Sequence, residues 1–193
     1  MEAFFQKMEA KIQKAVKADV KKILKEVGSE RIYAAALVTD SDCITLFLAV
    51  NTYENMQRTD TRYIEILDLP DEQAQKIRAG IASVTKWVPD EWGYSDGNDG
   101  KLTKVSKLLF AKEASDSAEY AAHRKLFIDT VISAFKGVIE SKAFGKRSEE
   151  IVYFVSMSDD EKIEELENYS AKQLNSAEVY EQFLKRYETG ETI

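Results

Sequence analysis

The sequence predicts an α+β fold (mixed α/β, one domain over residues 1–193), and three patterns in it carry that expectation. Apolar residues recur every three to four positions across the first 27 residues, then give way to short runs rich in alanine, β-branched and aromatic residues. A second long helical pattern occupies the middle of the chain. After it comes an apolar run at 151–157 and then two further helical patterns. This order of elements suits a central sheet of about four to six strands packed between helices.

Each element has its own signal. Phe4, Phe5, Met8, Ile12, Ala15, Val16, Val20, Ile23, Leu24 and Val27 form one apolar stripe with lysines filling the gaps, and Gly28 closes the helix. Residues 31–38 and 43–50 read as a β-hairpin buried on both faces, joined by Thr39-Asp40-Ser41-Asp42. A third strand is expected at 63–67. Asp68 and Pro70 then cap and open a short helix that ends near Gly80. Residues 81–88 read either as a strand delivering Trp87 or as more of that helix, 95–100 as a turn, and 102–111 as either helix or strand. Asp116 with Glu119 opens the long middle helix, striped by Tyr120, Phe127, Val131, Ala134 and Val138 and closed by Gly145. Residues 151–157 suit the centre of a sheet. Ser158 with Glu161 starts a helix to about Tyr169, and Asn175 with Glu178 starts the last one, turning Val179, Phe183, Leu184 and Tyr187 inward.

Composition narrows the function. The chain is 44% hydrophobic and 32% charged, an ordinary globular balance, and its net charge of −7 argues against nucleic acid, whose phosphates demand a basic footprint. The first helix carries seven lysines against four acids, so it presents either a solvated outer face or a basic stripe for a polyanion. From Ser148 onward twelve acids face four cations, an excess that either keeps the domain soluble or addresses a basic protein partner. No uncharged run approaches the roughly 20 residues of a membrane span and no secretion signal opens the chain, so a cytoplasmic location is expected.

Chemistry finds little to work with. The single cysteine, Cys43, lies in an apolar run and reads as an inert buried thiol, and the single histidine, His123, falls on the stripe of the long helix as a hydrogen-bonded core or boundary residue. One of each does not make the usual transition-metal site, so no metal, cofactor or catalytic residue is assigned. Residues 96–100 look like a calcium loop but fail its register, with Lys101 at position six and Lys107 at position twelve from Asp96. Phosphate-loop, dinucleotide and serine-elbow motifs are missing as well.

What remains is Lys86-Trp87-Val88-Pro89-Asp90-Glu91-Trp92-Gly93-Tyr94, which holds both tryptophans and one of the two prolines. Trp87, Glu91, Trp92 and Tyr94 are the candidate contact residues, because such side chains dominate interface hot spots. The other reading makes the tryptophans a clasp over one end of the core, with Pro89 fixing the bend and Glu91 accepting an indole or backbone N–H.

These nine residues resemble the W-x-P-x-E-W-x-Y signature of a bacterial family, the domain-of-unknown-function family 4303. Tyr33-Ala34, Asn51-Thr52, Phe144-Gly145, the strand at 151–157 and the stretch from Ser170 to Asn175 fit it too, so the resemblance spans nearly the whole chain. It implies a small cytoplasmic bacterial domain resembling immunity proteins that neutralise toxins, and it transfers no catalytic residue. The expected function is therefore a non-enzymatic protein-binding domain, an immunity-type inhibitor of a basic toxin. The alternative is an enzyme using carboxylates on a small polar substrate near residues 87–94.

Overall fold

The computed structural model describes residues 1–97, 99–112 and 117–187. Helix α1 (Glu2–Val27) leads into strand β1 (Ile32–Thr39) and strand β2 (Phe47–Thr52). Helices α2 (Tyr53–Ile66) and α3 (Asp71–Arg78), a 3₁₀ turn at Pro89–Glu91, strand β3 (Tyr94–Ser95) and helix α4 (Leu102–Phe110) follow. Helix α5 (Ser117–Glu140), strand β4 (Val152–Met157), and helices α6 (Ile163–Leu174) and α7 (Ala177–Leu184) are the remaining elements among the described residues.

The four strands lie in the order β3-β2-β1-β4, with β1 antiparallel to β2 and parallel to β4. Strand alternation divides the core in two. Ala35, Leu37, Leu48, Val50, Tyr153 and Val155 point towards α1, α4 and α5. Ala34, Ala36, Val38, Ala49 and Phe154 point the other way, towards both tryptophans and Phe183. The alanines on that second face leave room for large rings, which explains an alanine-rich strand in the middle of a sheet. A β-bulge between Ile32 and Ala34 breaks the alternation and turns Tyr33 onto the same face.

The first helix forms as its pattern predicts. Its apolar stripe is buried against α5, α4 and the sheet, and Gly28, at φ 62°, closes it. Its buried Asp19 accepts Lys101 N at 2.8 Å and Leu102 N at 3.0 Å, so one helix supplies the N-terminal cap of α4.

Several expectations change. Residues 63–67 end α2 and are not a strand: Thr52 caps that helix by accepting Asn55 N, and Met56, Asp60 and Ile64 recur at helical spacing. Five residues of apolar alternation cannot tell a strand from one helix face. Residues 81–88 are neither strand nor helix. Buried Asp60 accepts Val84 N, Thr85 N and the Thr85 hydroxyl, which satisfies this backbone without a ladder. The second hairpin strand starts at Phe47, because Cys43 sits at φ 59° in the turn. Pro70, not Asp68, occupies the cap position of α3. Residues 102–111 resolve as helix α4. Helix α6 begins at Ile163 without Ser158 as its cap, and Ser176 rather than Asn175 caps α7. Phe183 is buried as expected, while Tyr187 lies beyond the end of α7 and is 48% exposed. Asp116 lies outside the described residues.

Asn175 has a different task. Its side-chain amide accepts Tyr153 N at 2.9 Å and donates to Tyr153 O at 2.7 Å, as a neighbouring strand would. Ser170 Oγ accepts Val155 N at 2.8 Å. Two side chains of α6 and its C-cap thus seal the outer edge of β4, which would otherwise offer its amides to another chain.

Candidate functional site

Part of the set that carried the family resemblance, Tyr33, Ala34, Trp87, Trp92, Phe154 and Ala171, meets on one face of the sheet, while Phe144, Tyr153 and Val155 pack on the other. Tyr33 is the centre of the first group. Its hydroxyl donates to Lys86 O at 2.7 Å and accepts from Asn51 Nδ2 at 3.1 Å, and burial pushes its pKa up. The Tyr33 ring meets Trp87 and Trp92 edge to face at 5.9 and 6.2 Å, while Trp87 packs on Phe183 and Trp92 on Phe154 in the same manner. Each such contact adds roughly 0.5–1.5 kcal/mol beyond simple burial.

A polar layer fixes the loop that holds the tryptophans. Trp92 Nε1 donates to Thr85 O at 3.3 Å, and Pro89–Glu91 makes a 3₁₀ turn closed by Glu91 N to Val88 O and Trp92 N to Pro89 O. Asn51 Oδ1 accepts Thr52 N and Asn55 Nδ2. Gly93 faces that asparagine pair so closely that a Cβ there would lie 2.4 Å from the Asn55 side chain, so no larger residue fits without displacing it. Tyr94 reaches back to Glu30, whose carboxylate also takes Thr52 Oγ1 and Arg58 Nη1. The Arg58 and Thr52 bonds, joined by that of Tyr94, hold the Glu30 carboxyl down at about 2.

The four candidate residues therefore divide. Trp87 and Trp92 are 9% and 7% exposed, Tyr94 is half-buried, and Glu91 is exposed. Glu91 meets the hydroxyl of Tyr63 and not an indole or a backbone amide. Between the buried tryptophans the chain presents Val88, 39% exposed, with Asp90 and Glu91. The Asp90 carboxyl is raised by burial first, then by Glu91 and Asp159, so three acids lie near one another at this corner.

Other groups capable of chemistry are set in the fold. Cys43 is fully buried and its thiol is pushed up to about 12 by burial. His123 is buried edge-on against Phe5, its pKa lowered by burial and then by Lys112, and its Nε2 has no hydrogen-bond partner among the described residues. Asp96 accepts Leu48 N at 2.7 Å, and burial raises its carboxyl to about 6. Gly100 crowds that carboxylate, since a Cβ there would lie 2.1 Å from Asp96 Oδ2. Glu167 and Arg186 form a buried pair at 3.0 Å that ties α6 to the end of α7. Among the described residues no cluster of three or more acids, histidines or cysteines is placed to hold a metal ion, and no helix is long and apolar enough to cross a membrane.

Sequence reasoning singled out the tryptophans but missed Tyr33, Asn51, Asp60 and Phe183 as their supports. Asn51-Thr52 was a visible clue, though nothing local tied it to residues some 40 positions away.

With its sheet, flanking helices and aromatic clasp, this is a small mixed α/β domain of an uncharacterised class. Residues 12–176 match the family described as Domain of unknown function (DUF4303), and the chain belongs to that family. No curated protein and no solved structure matches it.

Proposed function

We propose that this protein is a non-enzymatic binding domain, an immunity-type inhibitor that docks a basic toxin through the loop between its two tryptophans. The observation that carries this reading is the way residues 87–92 are held. Both indoles are buried and hydrogen-bonded or stacked, so Val88, Asp90 and Glu91 stand at the surface on an already ordered backbone. A preordered loop loses little entropy on binding, and its acids, close to Asp159, attract a cationic partner and set the encounter rate. The acidic excess from Ser148 onward acts in the same direction.

The enzyme reading has less support. It needs two acids converging on one cleft, whereas among the described residues the cleft beside Trp87 is lined by one acid, Glu150, which Arg147 clasps through both carboxylate oxygens at 2.9 Å.

Co-expression with any toxin encoded by a gene flanking this one tests the proposal. The wild-type chain should protect the cells and co-purify with that toxin, and the Asp90→Lys/Glu91→Lys variant should do neither while melting at the same temperature. Absence of protection by the wild-type chain, or full protection by the variant, would overturn it.

A further inference from the structure

Helix α1 has an outer face that the rest of the described fold leaves uncovered. Lys7, Lys11, Lys14, Lys17, Lys21 and Lys25 follow one another at steps of three and four residues, so they share about a third of the helix circumference. All six are exposed, and none has an ion pair or hydrogen bond among the described residues. The other residues of that arc are Ala3, Ala10 and Ala18, too short to hold a partner away from the lysines. The acids of the helix lie elsewhere. Asp19 is buried and caps α4, Glu9 accepts the Ser133 hydroxyl of α5 at 2.8 Å, and Glu2 and Glu26 fall outside the arc. Lys22, off the stripe, pairs with Asp99 at 2.8 Å.

The surroundings do not reverse the sign. Helix α4, packed beside α1, has Lys104 and Lys107 and no acid, and α5 sets Arg124, Lys125 and Lys136 against Glu119, Asp129 and Glu140. The residues outside the described set add four acids, Glu113, Asp116, Glu188 and Glu191, too few to cancel six lysines. Acids beyond the sheet are separated from the stripe by a helix about 10 Å across, more than the Debye length of about 8 Å at physiological salt.

The make-up of the face selects the partner. From Lys7 to Lys25 the row runs straight for about 27 Å. A flat anionic surface meets every lysine of such a row at once, whereas the phosphates of a duplex wind around its axis and meet it only at crossings. Protein interfaces favour aromatic side chains and arginine over lysine, and this face has neither. Lysine is a flexible point charge, suited to diffuse attraction rather than to forked recognition. We propose that the outer face of α1 docks flat on an anionic lipid bilayer, its six lysines over the headgroup phosphates and carboxylates. Helix α1 packs on the sheet face opposite the tryptophans, so the loop at 88–91 then lies on the far side of the sheet from the lipid and stays open to a partner.

Co-sedimentation of the full chain with vesicles tests this. Phosphatidylcholine vesicles with about one-third phosphatidylserine should bind it at about 0.05 M salt and release it at about 0.5 M. Pure phosphatidylcholine vesicles should bind it at least about tenfold more weakly. Lys14→Ala/Lys21→Ala should weaken binding about twentyfold, at roughly fivefold per lysine. Lys162→Ala/Lys172→Ala on α6 changes the net charge equally and should stay within about twofold of the parent, which separates the stripe from overall charge. Alanine favours helix at each of these exposed sites, so both variants should keep the parent's melting temperature. A fluorescent DNA duplex at the same salt should bind more weakly than the anionic vesicles. Asp90→Lys/Glu91→Lys should still bind the vesicles, so lipid docking and toxin docking can fail separately. No binding to the anionic vesicles at low salt, equal binding to the neutral ones, tighter binding to the duplex, or equal losses in the α1 and α6 variants would overturn the proposal.

Discussion

The two faces of the sheet are built on different physics. Towards α1 and α5 the core is mostly aliphatic and phenyl side chains that need volume and apolarity, with the Tyr153 hydroxyl and its Ser148 partner as the polar exception. On the opposite face small alanines receive two tryptophans and a tyrosine, with the Tyr33 hydroxyl bonded to Lys86 O and Asn51 and the Trp92 indole bonded to Thr85 O. The first arrangement tolerates exchange of like for like, because burial is non-directional. The second has direction: its hydrogen bonds position one loop. A face that spends hydroxyls, amides and an ion pair on orientation is the one to expect near a binding surface.

The sharpest way to break the comparison is at Glu167–Arg186, the ion pair beside the aromatic face. Arg186→Leu leaves a buried carboxylate without its Arg186 charge partner, with the Ser156 hydroxyl still donating to it, and should cost about 3–5 kcal/mol in urea unfolding, with most of it recovered when Glu167→Leu is added. A truncation on the aliphatic face such as Phe135→Ala should cost a similar ~3–5 kcal/mol, with no charge partner whose removal restores it.

Strand β1 allows both faces to be probed within five residues. Tyr33→Phe keeps the ring but strands the Asn51 amide and the Lys86 carbonyl, and should cost about 1–3 kcal/mol. Leu37→Met on the other face should cost less than about 1.5 kcal/mol. Equal effects would erase the distinction.

Much of the aliphatic face was legible in the sequence. The α1 stripe, the both-sides-buried β1 and the 151–157 run follow from periodicity, which encodes burial alone. The aromatic face was legible only as a suspicious segment. Its supports are long-range polar bonds: Asp60 to the 84–85 amides, Asn51 to Tyr33, Asn175 to β4. In sequence Asp60 resembles any solvated helix acid, and Asn175 resembles a helix cap. The strand reading of 63–67 failed because it measured alternation where a longer helix from Tyr53 was in force.

Titration separates two buried or bonded acids by sign. Asp96 has its carboxyl raised to about 6, so it lowers folded stability as pH rises from about 4 to about 6. Asp96→Asn should therefore raise the melting temperature relative to the parent more at pH 7 than at pH 4. Glu30 is held at about 2, so its contribution is complete above the ordinary carboxylate range and is lost as pH falls towards 2. Glu30→Gln should cost more at pH 7 than at pH 2.5.

The smallest stability effect belongs to the surface of the loop. Val88→Ala should change unfolding by no more than about 0.5 kcal/mol, because an exposed side chain has little to lose on folding, and should still weaken the docking proposed for this loop.

Hydrogen exchange tests directly whether the tryptophan loop is ordered before any partner arrives. The amides of Thr85, Glu91 and Trp92 and the Trp92 indole should exchange within about tenfold of the central β1 amides, as one cooperative unit with the sheet. Exchange of these groups at unfolded-chain rates while β1 stays protected would contradict the account, because the loop would then be ordered by its partner and not by the fold.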